Sequence, residues 1–147
     1  MPKKLERPYW QPNPQANSHS TPEKTPRHEA LHAAVAYILG YEPYRIRVNK
    51  DGSGIVDRRW ENEIGWHRAA IHMAPVLIDD LAKTDAEQLV HVNPHTRGYA
   101  WRWLKQNRRK IMREANKMVR NMGKPGGTLW LLDDGTMEWM PRKRTKR

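Results

Sequence analysis

The chain has 147 residues, enough for one domain with a modest core, and the absence of Phe leaves seven Trp and seven Met to supply much of its bulk. No apolar run approaches the roughly 18 residues that a membrane span needs, and zero Cys excludes both a disulfide framework and a thiolate metal site, leaving His, Asp and Glu as candidate ligands. The net charge of +11 is confined to the last third: residues 1–96 carry 12 basic and 12 acidic residues, residues 97–147 carry 15 and 4, a bias that points to a polyanionic neighbour or a solubilising tail.

Residues 1–24 are rich in Pro, Asn, Gln, Ser and Lys and are expected to form a disordered arm, with Tyr9 and Trp10 able to pin it to the body. No apolar segment follows the basic N-terminus, so no secretory signal is expected and the protein is read as cytoplasmic. A domain over 25–140 follows. Thr25-Pro26 predicts a helix start, Thr as the cap and Pro at the first helical position, and Gly40 predicts its end. Between them Leu31, Ala34, Val35 and Ile38 recur at helical spacing. The segments 44–48 and 54–60 alternate around NKDGS and predict a hairpin. Residues 62–82 predict a second amphipathic helix, kinked at Pro75, and TDAEQLVHV a short piece ending at Asn93-Pro94. Residues 96–122 predict one long basic helix. A last hairpin turns at 133–136, with Trp130 and Trp139 as cross-strand partners over the core, before a basic tail at 141–147. The fold class expected is α+β, with three main helices and two small hairpins.

The first helix carries His28-Glu29-Ala30-Leu31-His32. Residues four apart lie on one face of a helix, so His28 and His32 can direct both imidazoles at one cation. Glu29 lies about 100° further round, placed to reach a water on that metal rather than the metal itself. Zinc lowers the pKa of bound water to about 7, and a carboxylate beside it can act as general base in peptide hydrolysis. Two histidines are not a zinc site, because at least a third ligand is required. Asp79, on the same helical stripe as His72 and Val76, is the first choice; Asp80, Asp85, Glu87 and His95 remain open. His72 and His67 read as packed or hydrogen-bonded, with His72 also suited to supporting a metal ligand from behind.

HEALHAAVAYILG resembles HEAGHAxVAxxLG, the zinc helix of the peptidase domain of FtsH-type proteases, sharing His28, Glu29, Ala30, His32, Ala33, Val35, Ala36, Leu39 and Gly40. The order of elements is similar as well. The resemblance implies a zincin-like domain with zinc as cofactor, His28 and His32 as ligands, Glu29 as general base, and a peptide or protein as substrate. APVLIDDL (74–81) stands where the family has a segment with paired acids. TDAEQL stands near the segment that carries its third ligand, with Leu89 aligned to the ligand position. Leu31 replaces the family's Gly. No phosphate loop is present, so a free-standing, phage-like small peptidase is implied rather than an ATP-driven one.

Within 96–122, Arg102, Lys105, Arg108, Arg109, Lys110, Arg113, Lys117 and Arg120 face one acid, Glu114. Ala100, Trp103 or Leu104, Ile111, Ala115 and Met118 form the inward stripe. The outward face reads as solvated, or as a nucleic-acid surface contacting phosphates, with Trp101 and Trp103 beside Arg102 permitting base stacking. The alternative to a peptidase is thus a basic nucleic-acid-binding or virion-associated protein in which HExxH is structural or a relic.

Overall fold

The computed structural model describes residues 10–12, 25–58 and 62–142. The disordered arm expected over 1–24 lies outside the described residues apart from Trp10 to Pro12, as does most of the basic tail. Trp10 does reach the body, its ring lying 4.4 Å from the guanidinium of the buried Arg97.

Among the described residues the chain runs α1 (Thr25–Ile38), β1 (Pro43–Val48), β2 (Gly54–Arg58), α2 (Trp66–Met73), a 3-10 turn (Ala74–Ile78), α3 (Lys83–Val90), α4 (Pro94–Gln106), α5 (Arg108–Arg120), β3 (Gly127–Leu131) and β4 (Met137–Pro141). The α+β expectation holds, with five α-helices rather than three. Helix α1 is buried nearly all round, and its Ala30, Ala33, Ala34 and Ala36 let α5, α2 and the sheet approach its axis closely. It ends as its sequence indicates: Gly40 takes a left-handed φ of 91° and the chain turns into β1. At its start the Thr25 hydroxyl donates to the Gly52 carbonyl in the β1–β2 turn and ties the helix to the hairpin.

The two hairpins are one sheet. Strand β1 pairs antiparallel with both β2 and β3, giving the order β2-β1-β3-β4, with β2 at one edge. Ile46, Val48 and Leu129 turn inward and are fully or almost fully buried. Trp130 and Trp139 are not opposite one another: Trp139 faces Leu129 and packs toward the core, whereas Trp130 faces Glu138 on the other side. There Trp130 and Tyr44 each lie 5.3 Å from the Arg45 guanidinium.

Two helical expectations change. Residues 62–82 do not form one kinked helix; α2 stops at Met73, Pro75 sits in the 3-10 turn, and Asp79 reverses the chain with φ 53°. The long basic helix breaks at Asn107, where both the backbone N–H, at 3.0 Å, and the side-chain amide, at 2.8 Å, donate to the Trp103 carbonyl. The inward stripe survives the break: Ala100, Leu104, Ile111, Ala115 and Met118 are all buried. No described helix is long and apolar enough to cross a membrane.

Candidate metal centre

His28 and His32 lie one turn apart on α1, and their Nε2 atoms are 3.2 Å from each other. The Asp85 Oδ2 atom, from the first turn of α3, is 3.4 Å from the His28 Nε2 and 3.1 Å from the His32 Nε2. Three electron-pair donors therefore converge on one point, which a cation or shared protons must hold together. A tetrahedral ion with bonds of about 2.0–2.1 Å needs its ligand atoms about 3.3–3.4 Å apart. The triangle of 3.1–3.4 Å fits that requirement.

Each donor is oriented from behind. The His32 Nδ1–H donates to the Ile71 carbonyl at 2.6 Å, which leaves the Nε2 lone pair for the site. The His28 Nδ1–H donates to Asp80 Oδ2 at 3.0 Å, and Asp80 is buried. Asp85 presents one oxygen to the two imidazoles while the other meets His72 Nδ1 at 3.0 Å. Carboxylate and carbonyl partners of this kind fix ring tautomer and orientation at metal centres. Burial works against a charged His28, but the hydrogen bonds to Asp80 and Asp85 outweigh it and raise its pKa to about 10. His32 is raised as well, burial again being overcome by Asp85. Burial opposes the Asp85 carboxylate too, yet His32, His28 and His72 hold it well below the usual carboxylate range.

The candidate ligands thus divide. His28, His32 and Asp85 come together as the described group able to hold an ion. Asp79, the first choice, is exposed at the left-handed turn and lies outside this group. Asp80 stands one shell back on His28. Glu87 and His95 are exposed on α3 and at the start of α4, and Leu89, aligned to the family's ligand position, is fully buried in the core. Asp85 looks from its sequence like an ordinary helix-start acid. Only its juxtaposition with His72 and α1 distinguishes it.

Glu29 is half-buried and lines a cleft of about 440 Å³ together with His28, His32 and Asp85. Strand β2, Gly54 to Arg58, also lines the cleft, and among the described residues it pairs with β1 alone, leaving its outer edge without a strand partner. Gly54 is required by proximity. A Cβ there would lie 2.7 Å from Thr25 Cγ2, 2.9 Å from Glu29 Cγ and 3.1 Å from the Arg47 carbonyl oxygen. A strand edge beside an acid and a ligand triad is a combination that can align a peptide by backbone pairing and present one of its carbonyls to the centre. Comparison of the chain with protein-family profiles, curated proteins and solved structures finds no match.

Proposed function

We propose that the protein is a zinc-dependent metallopeptidase in which His28, His32 and Asp85 hold the ion and Glu29 is the general base. The observation that carries the reading is the triangle of two imidazole nitrogens and one carboxylate oxygen with edges of 3.1–3.4 Å, beside Glu29. Two imidazole nitrogens and one carboxylate oxygen in this geometry suit zinc, with three protein ligands and an open position, as in catalytic rather than structural sites. Bound zinc would supply Lewis acidity, polarising a carbonyl and lowering the pKa of water to about 7.

The chain's own groups do the rest. The free edge of β2 pairs with the backbone of an extended peptide, fixing which carbonyl lies over the centre. Glu29 takes the proton from water as the water attacks that carbonyl, and returns it to the departing amine. Asp80, His72 and the Ile71 carbonyl keep the three ligands in register throughout.

The test compares zinc content and cleavage of a fluorescein-labelled unfolded protein in wild type, His28→Ala/His32→Ala and Glu29→Gln. One zinc per chain is expected in wild type and Glu29→Gln, with hydrolysis in wild type alone. A wild type that takes up no zinc, or a Glu29→Gln protein that cleaves as fast as wild type, would overturn the proposal and leave HEALH a structural feature.

A further inference from the structure

Helix α5 presents a row of cations to solvent. Its buried residues, Ile111, Ala115 and Met118, define the inward direction. At about 100° per residue, Arg109, Arg113 and Arg120 fall within about 30° of the opposite direction, and Lys117 about 55° from it. All four side chains are exposed. The row repeats every three or four residues, about one turn, and extends for about 16 Å along the helix.

Among the described residues none of the four forms an ion pair, and Glu114 is the one acid between residues 97 and 132. Like charges at this spacing repel by a few tenths of a kcal/mol per pair on a helix surface, so folding alone gives no reason for the row. The helix also has no aromatic residue. The nearby Trp103 is occupied in a cluster 5.3 Å from Trp66, and Trp101 lies under Lys105 at 5.5 Å. A surface that recognises single strands needs free aromatic platforms for the bases, and this one has only charge. It matches a regular array of phosphates on a rigid rod, about one charge per 1.7 Å of duplex axis.

We propose that the outer face of α5, through Arg109, Arg113, Lys117 and Arg120, is a docking surface for the phosphate backbone of duplex DNA. The contact reads no sequence, and it is independent of the metal centre, which lies on α1 and α3. It would hold the protein, and whatever the cleft does, on a nucleic-acid surface.

The experiment measures anisotropy of a labelled DNA duplex of about 20 base pairs with the full chain, across about 50 to 200 mM salt. Four phosphate contacts contribute a slope of about −3.6 in log K against log salt, or about 150-fold in affinity over that range. The variant Arg109→Gln/Arg113→Gln/Lys117→Gln/Arg120→Gln is expected to lose about that much slope and at least tenfold in affinity, while keeping its circular dichroism, zinc content and hydrolysis. If the quadruple variant does not fold, each single substitution is expected to reduce the slope by about one. Neutralising Arg142, Lys143, Arg144, Lys146 and Arg147 instead leaves the contribution of α5 in place. Wild-type binding by the folded α5 variants, loss of binding on neutralising the tail alone, or binding to phosphatidylserine vesicles but not to duplex would each overturn the proposal.

Discussion

Replacing Gly54 with Ala tests how tightly the strand edge and the proposed general base, Glu29, are held together. A Cβ at this position lies 2.7 Å from Thr25 Cγ2 and 2.9 Å from Glu29 Cγ, against about 3.4 Å for an ordinary contact. Relief therefore takes about 0.7 Å of movement at Thr25 and about 0.5 Å at Glu29. Thr25 is fully buried and bonded to Gly52, so it yields poorly. Glu29 is half-buried, and among the described residues β2 has a strand neighbour on one side only, so these two give way. A misplacement of about 1 Å costs a catalytic group about 100-fold, so half of that costs roughly tenfold. If Glu29 moves, kcat falls by that factor; if the strand moves, KM rises because the peptide edge has shifted. Overpacking also lowers stability by about 1–3 kcal/mol. Steady-state kinetics on zinc-loaded Gly54→Ala, with a thermal melt alongside, separates these effects. Unchanged kcat and KM at full zinc occupancy would show that Glu29 and β2 do not share the cleft in the way described.

The ligand set has its own tests. Asp85→Asn should abolish tight zinc binding while Asp79→Asn leaves it at the wild-type level, as read by competition with a chromophoric chelator; the reverse result would restore Asp79 as the ligand. Asp80→Ala should weaken zinc binding about 10- to 100-fold, because His28 loses the partner that orients it, and an unchanged affinity would remove Asp80 from the centre. The pKa of His28 stands at about 10, above its ordinary 6.5, because Asp80 and Asp85 outweigh the penalty of burial. A folded-state pKa above the unfolded value adds stability that is full below pH 6.5 and is lost as pH rises toward about 10. The chelator-treated protein should therefore melt at lower temperature as pH rises from 7 to 10. Zinc requires the neutral imidazole, so the loaded protein should not follow that trend. A metal-free melting temperature that stays constant would contradict the raised pKa.

The local chemistry of the centre was legible in the residues, and its distant partner was not. His28, Glu29 and His32 needed only the helical repeat, and Gly40 and the apolar residues of α1 declared that helix. Asp79 shares a stripe with His72 and Val76 only if about 100° per residue runs through 62–82, which holds only while the α-helix continues. The helix stops at Met73, Pro75 joins a tighter 3-10 turn, and the positive φ of Asp79 ends the count, so the next carboxylates take over: Asp80 behind His28, and Asp85 in the group able to hold an ion. Each hairpin is a local signal and was readable. The pairing of β1 with β3 joins residues about 80 positions apart, and nothing in either strand names its partner. The break at Asn107 is a change of backbone angle at one residue, φ −105° and ψ 12°, which helical periodicity does not register.

That pairing gives the protein a schedule during its synthesis. Every residue of the proposed centre and of its peptide-aligning edge has been made once residue 85 is added, yet β2 rests on β1, and β1 on β3, at residues 127–131. Two strands alone are marginally stable in water. The cleft is therefore assembled late, after α5 and β3 have emerged, so under the proposed function the growing chain carries the residues of a peptidase without a competent one beside its own unfolded segments. A ribosome-held chain ending at Met122 should lack hydrolysis that one extended beyond Pro141 acquires.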